Sequence, residues 1–168
     1  MFQRFLEDGR LNDARILSGA DWFHQRLGGD ATLASYGVTG IHRRPADDLR
    51  EAAQEAVPAA HLAFLQNLPL CHQTDDLFFA HAGIAPGVPL ENQTEDDLLW
   101  IRGPFLDHPH PHPLLVVHGH TALDAPAHYG NRINLDGGAG YGRPLAVAVF
   151  EQGRVWTLEA DGRRPLMP

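Results

Sequence analysis

The stretch LLVVHGHT, from Leu114 to Thr121, decides how this chain is read. Its four apolar residues predict a buried strand, and the strand runs straight into two histidines that straddle a single glycine. A second stretch, DLFFAHAG from Asp76 to Gly83, repeats the order of apolar run, His and Gly. A side chain at a strand end is held by a rigid element yet opens into the crevice beyond the sheet, where ligands and metals tend to bind. Two such strands side by side would bring His81 and His120 together, and neutral imidazole nitrogen suits a divalent transition metal. Taken singly, a histidine near a core is more often a hydrogen-bonded structural residue.

Around these two stretches the pattern is of short strands. RINLDGG, LAVAVFE and VWTLEA are bounded by Gly, Pro or Asp, and the last two, separated by Gln152-Gly153-Arg154, predict a hairpin. Between the histidine-bearing strands, TEDDLLWIR predicts a short helix with Thr94 and Asp97 at capping-box spacing. The first 70 residues read differently. Phe2, Phe5 and Leu6 share one face of a short helix ending near Gly9, and ADWFHQRLGG predicts a helix closed by Gly28 and Gly29. Pro45 and Pro58 open two amphipathic helices, RPADDLREAAQEAV and PAAHLAFLQNL. The expectation is a single layered α/β domain over residues 1–168, helical in 1–70 and strand-rich in 71–168. The DHPHPHP run, Asp107 to Pro113, predicts an extended solvated loop whose alternating prolines splay the imidazoles.

Composition narrows the function classes. With 168 residues, 43% of them hydrophobic, the chain has the material for one ordinary domain core. The formal charge is −8 and all 13 cationic residues are arginine, so there is no basic stripe and nucleic acid is not an expected partner. No run of 18 apolar residues occurs and MFQRFLEDGR lacks an apolar leader, so neither a membrane span nor a secretory signal is expected, and the expected location is cytoplasmic. The lone Cys71 forms no internal disulfide and reads as a small apolar filler beside Leu70.

Two histidines do not complete a catalytic metal centre. Asp136, in INLDGGAGYG, is the nearest acidic candidate by the same strand-end logic, though it reads more simply as an Asp closing a Gly-rich turn. The glycines of that turn are out of register with the dinucleotide fingerprint and precede a strand, so no phosphate cradle is expected there. Arg102, at the end of TEDDLLWIR, either caps the last helix carbonyls or offers its planar fork to a phosphate. Periodicity does not choose between these.

Taken together, FFAHAGIAPGVPLENQTEDDLLWIRGPFL, VVHGHT and NRINLDGGAGYGRPLAVAVFE resemble the C-terminal half of bacterial calcineurin-like metallophosphoesterases of the phosphoprotein phosphatase type, the serine/threonine protein phosphatases. WFHQRLGGDATLASYGV resembles the segment after that family's middle motif, so the resemblance covers nearly the whole chain. It implies the C-terminal portion of a layered α-β-β-α sandwich. It also implies two divalent metal ions, Mn, Fe or Zn, and hydrolysis of phosphomonoesters by a dimetal-activated hydroxide with no covalent phosphoenzyme. By the same resemblance His81 and His120 are ligands of one and the same ion, and Arg102 is the catalytic arginine that grips the substrate phosphate. His118 matches no ligand. Two residues from His120 and expected on the same side of a strand, it is expected, with Asp136, to support the ligands from behind. The implied partner is a phosphorylated protein or a small phosphoester.

The family's N-terminal motifs, an Asp-x-His pair, a GD-x-x-DRG stretch and GNHE, do not occur in these residues. With them go the ligands of the first metal, the bridging carboxylate and a second phosphate-binding arginine. About half a site is therefore expected, with low activity of this chain alone and self-association through apolar faces. An internal Met taken as the start, a truncated gene and a piece of a longer protein all stay open as origins. Two other readings remain: a diadenosine tetraphosphate hydrolase, which shares the motifs, and a non-catalytic remnant acting at most as a binding module. The sequence from Gly83 to Leu99 looks more like the protein-phosphatase branch.

Overall fold

A computed structural model describes residues 1–16 and 18–168. The chain divides into two compact units, Met1–Leu68 and Pro69–Pro168. The first contains helices α1 (Phe2–Asp8), α2 (Gly29–Ser35), α3 (Ala46–Ala56) and α4 (Ala59–Gln66). As expected, α1 stops at Gly9, which adopts φ 76 and donates its N–H to the Phe5 carbonyl. Phe5 and Leu6 of α1 join Leu49 and Ala53 of α3, with Trp22 and Leu33, in a buried core.

Two helix expectations need correction. Residues 22–27 form successive tight turns instead of a helix, with the His24 N–H bonded to the Asp21 carbonyl and the Leu27 N–H to the His24 carbonyl. Burial of Trp22 decides this: its ring packs on Phe5 with centroids 5.1 Å apart. The Trp22 N–H bonds the Leu11 carbonyl and its own carbonyl accepts from Gly29, so both groups are taken from any helical ladder. Helix α4 is not amphipathic. Its apolar residues fall on every side, none is buried, and Phe64 is 65% exposed.

In the second unit, strands β1 (Cys71–Gln73), β2 (Leu77–Ala80), β3 (Leu115–His118), β4 (Ala127–His128) and β5 (Arg132–Asn134) form one sheet in the order β1-β2-β3-β5-β4. Strands β6 (Ala148–Glu151), β7 (Arg154–Glu159) and β8 (Gly162–Pro165) form an antiparallel second sheet, with β6 and β7 the expected hairpin. The two histidine-bearing strands are parallel neighbours, Phe78 opposite Val116 and Phe79 opposite Val117. Strand β5 pairs parallel on the far side of β3, with Asn134 opposite His118.

Alternation along β2 and β3 gives the two faces different cover. Phe78 and Val116 face helices α5 (Glu95–Trp100) and α6 (Gly103–Leu106), packing with Ile84, Leu98 and Phe105, and Cys71 lies half-buried against this cluster. Phe79 faces the other way and meets Phe150 of β6 edge-on at 6.0 Å. Helices, large sheet and small sheet are thus layered in the mixed α/β manner that the sequence predicts. The capping box at the start of α5 forms as its spacing requires: Thr94 Oγ1 accepts from the Asp97 N–H, and Asp97 Oδ2 accepts from the Thr94 N–H.

The His-Pro run departs from expectation. His108 and His112 stack at 5.1 Å instead of splaying, and His112 lies in turn on the Phe105 ring at 5.4 Å. Asn131 Nδ2 bridges the carbonyls of His108 and His110, at 2.8 Å each, and bends the run over this aromatic platform.

Candidate active site

The parallel pairing of β2 with β3 sends both histidine-bearing loops out of the same end of the sheet, and further backbone bonds hold them together. Gly119 N–H donates to the His81 carbonyl at 2.9 Å, and the next N–H in that loop, Ala82, donates to Leu98 of α5 at 2.7 Å. The result is that His81 Nε2 and His120 Nδ1 stand 3.1 Å apart. They line an open groove of about 610 Å³ whose walls include Phe79, Leu99, Val117 and Asp136.

His120 does not continue strand β3. The Thr121 N–H bonds the Gly119 carbonyl at 2.7 Å, across a His120 backbone at φ 63. This is a γ-turn of the rare hand, in a region that costs a non-glycine residue of order 1–3 kcal/mol. The two-residue alternation of a strand therefore does not apply, and His118 and His120 point to different surroundings.

Arg102 lies beside the pair. Its Nη1 donates to Thr121 Oγ1 at 3.1 Å, and the residue is otherwise exposed. Trp100, from the last position of α5, meets the His120 ring edge to face at 5.7 Å. His120 is held down to about 4, by desolvation first, then by the positive Arg102 and by the His81 ring, with the Asp136 carboxylate pulling upward. His81 is lowered as well, by desolvation first; Asp136 opposes and Arg102 adds to the shift. Both rings are therefore neutral at pH 7, and in their 3.1 Å hydrogen bond one ring nitrogen donates to the other, the tautomers setting which.

Behind the pair is a buried polar layer. His118, 3% exposed, has Nδ1 3.1 Å from the Gly119 carbonyl and Nε2 3.4 Å from Arg132 Nη1. A proton on Nδ1 satisfies both contacts, which fits a ring held neutral: burial pushes it down to about 4, the Gly119 bond opposes, and Arg132 adds. Its ring nitrogens thus face a backbone carbonyl and an arginine, not His81 or His120. Asp136 Oδ1 accepts from the Gly138 N–H at 3.0 Å, the turn-closing bond that its sequence context predicts. Asn134, 1% exposed, donates to the Thr121 carbonyl and accepts from the Asp136 N–H, both at 2.8 Å.

A crystal structure of a proposed diadenosine tetraphosphatase matches this chain with a TM-score of 0.54 and 26% sequence identity, over 83% of this chain and 74% of that one. The chain has a metallophosphoesterase-like α/β fold. No protein-family model matches the sequence, and no curated protein matches it.

The metallophosphoesterase-like fold implies divalent metals, and the imidazole pair is a test of fit. Two nitrogens bound to one ion at about 2.0–2.1 Å, at angles between octahedral and tetrahedral, stand roughly 2.9–3.4 Å apart. The observed 3.1 Å lies inside that range. The set is nonetheless small: among the described residues no group of three or more His, Cys, Asp or Glu side chains is arranged to hold a metal. Of the residues singled out from the sequence, His81, His120 and Arg102 come together, and His118 and Asp136 lie next to them. Thr121, Asn134 and Trp100 were not singled out. Asn134 carried no distinguishing signal, since RINL alternates polar with apolar residues and its amide reads as the solvent face of a half-buried strand.

Proposed function

We propose that this chain carries part of the site of a metal-dependent phosphoesterase. His81 Nε2 and His120 Nδ1 hold one divalent ion, and Arg102 binds the substrate phosphate and stabilises the charge that builds on its oxygens. The single observation that supports this reading is the 3.1 Å imidazole pair beside the Arg102 guanidinium. Mn, Fe or Zn would suit the donors, and the chemistry such ions supply is activation of water at neutral pH and neutralisation of phosphate charge. Thr121 takes one N–H of Arg102, leaving the remaining donors of the fork for two phosphate oxygens. Trp100 closes one side of His120 and excludes water from that ring edge.

For the substrate, the likeness to a proposed diadenosine tetraphosphatase favours a dinucleoside polyphosphate. The phosphoprotein reading is the second one, supported by the sequence resemblance between Gly83 and Leu99. The test has two stages. Calorimetric titration of Mn²⁺ into the chain should show binding that His81→Ala and His120→Ala abolish; binding that survives both substitutions would overturn the ligand assignment. Turnover of diadenosine tetraphosphate is then compared with that of a phosphothreonine peptide, and preference for the peptide would reverse the substrate order.

A further inference from the structure

We infer that Asn134 and Thr121 are positioning residues: together they pin the strained turn at His120 and tie it to Arg102, so that one turn sets both the imidazole pair and the guanidinium. The inference rests on the reading of His81 and His120 as metal ligands and of Arg102 as the phosphate-binding group.

Asn134 is the last residue of β5, flanked by Ile133 and Leu135 and buried to 1% exposure. Packing alone would favour an apolar residue there, because a buried amide is costly unless both its ends are bonded. Both ends are. Nδ2 donates to the Thr121 carbonyl and Oδ1 accepts from the Asp136 N–H, so the amide has a single workable orientation.

Thr121 is joined in three directions. Its N–H closes the turn on Gly119, its carbonyl is held by Asn134, and its hydroxyl accepts from Arg102. The turn it closes is the one with His120 at φ 63, a conformation that persists only where surroundings over-determine it. Gly119 N–H to the His81 carbonyl fixes the start of the turn, and Asn134 fixes its end. Release of that end would let His120 relax toward ordinary negative φ and swing Nδ1 away from His81. The same movement would carry the Thr121 hydroxyl away from Arg102.

The test begins on the metal-free chain by NMR. Wild type should show a positive φ at His120, from its intraresidue amide-to-Hα contact, and a nuclear Overhauser contact between the His81 and His120 rings. Asn134→Ala and Asn134→Asp should lose both signals while the methyl resonances of Val116 and Leu98 stay dispersed. Cobalt(II) titrated into the same samples should bind about 10- to 100-fold more weakly to the Asn134 variants, as read from its visible spectrum. Thr121→Val should lose the ordered Arg102 Nε–H signal, and Thr121→Ser should restore it.

A folded Asn134→Ala variant with the turn and ring contact intact would overturn the inference, whatever cobalt does. Should both Asn134 variants fail to fold, the Thr121 pair decides alone: equal Arg102 order in the Val and Ser variants overturns it, and loss in Val with recovery in Ser supports it. Wild type that shows the turn and ring contact yet binds no cobalt would overturn the metal reading instead and leave the positioning claim standing.

Discussion

The ring of Phe105 fills the space into which a side chain at Gly83 would project, and Gly83 itself sits at φ 150. Phe105 also meets the buried His118 edge-on at 4.9 Å, so it has little freedom to retreat. Gly83→Ala should therefore destabilise the protein by about 3 kcal/mol, the sum of overpacking and backbone strain, measured as a lowered urea midpoint. Adding Phe105→Leu should recover part of that loss. Additive effects of the two substitutions would show that the clash is not the cause.

His120 and Arg102 should separate in their effects. His120→Ala removes one of the two proposed ligands, so Mn²⁺ binding and any turnover should both fall. Arg102→Ala removes the proposed phosphate contact and the bond to Thr121 but no proposed ligand, so Mn²⁺ affinity should hold within about twofold while turnover falls by roughly 10²-fold, in line with removal of one donor to a developing anion. Atomic absorption of metal-loaded samples and p-nitrophenyl phosphate kinetics check this. Metal lost from the Arg102 variant, or kept in the His120 variant, would exchange the two roles.

The 168 residues alone should turn over p-nitrophenyl phosphate with added Mn²⁺ only slowly. Two imidazoles alone hold an ion weakly, and among the described residues no third His, Cys, Asp or Glu side chain joins them in a metal-holding group. Steady-state rates matching those of a complete dimetal phosphatase would mean that a further ligand set operates.

Stability should fall on mild acidification because of His118. Its folded value of about 4 lies below the ordinary imidazole value of 6.5, so between those limits the unfolded chain binds more protons than the folded one. The contribution is fully present above pH 6.5, declines as pH drops through this window, and changes no further below about 4. For so buried a ring its size is roughly 3 kcal/mol. Urea denaturation at pH 7 and pH 4.5 measures it, and His118→Gln should flatten the slope. A slope untouched by that substitution would assign the effect to other groups.

Much of this was legible in the sequence where one signal dominated. LFFAH and LLVVHGH are apolar runs that stop at His and Gly, and they became β2 and β3, adjacent and parallel, with their histidines in contact. The capping box needed only Thr94 and Asp97. What escaped reading was set by partners distant along the chain. Trp22 gave up a local helix for a place against Phe5. The His-Pro run is bent by Asn131, some 20 residues later, and by Phe105. Strand periodicity put His118 and His120 on one face, and the φ 63 turn, which no local pattern announces, separated them.

Both histidine loops leave from the same end of the sheet because β2 and β3 run side by side in one direction, and the chain between them must cross over and return. Residues 84–114 form that excursion, which brings Trp100 and Arg102 beside His120 and Thr121 and is anchored by Leu98 and Phe105. Away from residues 98–105, the exposed loops of such a crossover can change length and composition without moving either imidazole or the guanidinium. Those exposed loops are therefore natural places for grafting new surface contacts, while the end of the sheet that bears His81 and His120 stays constant.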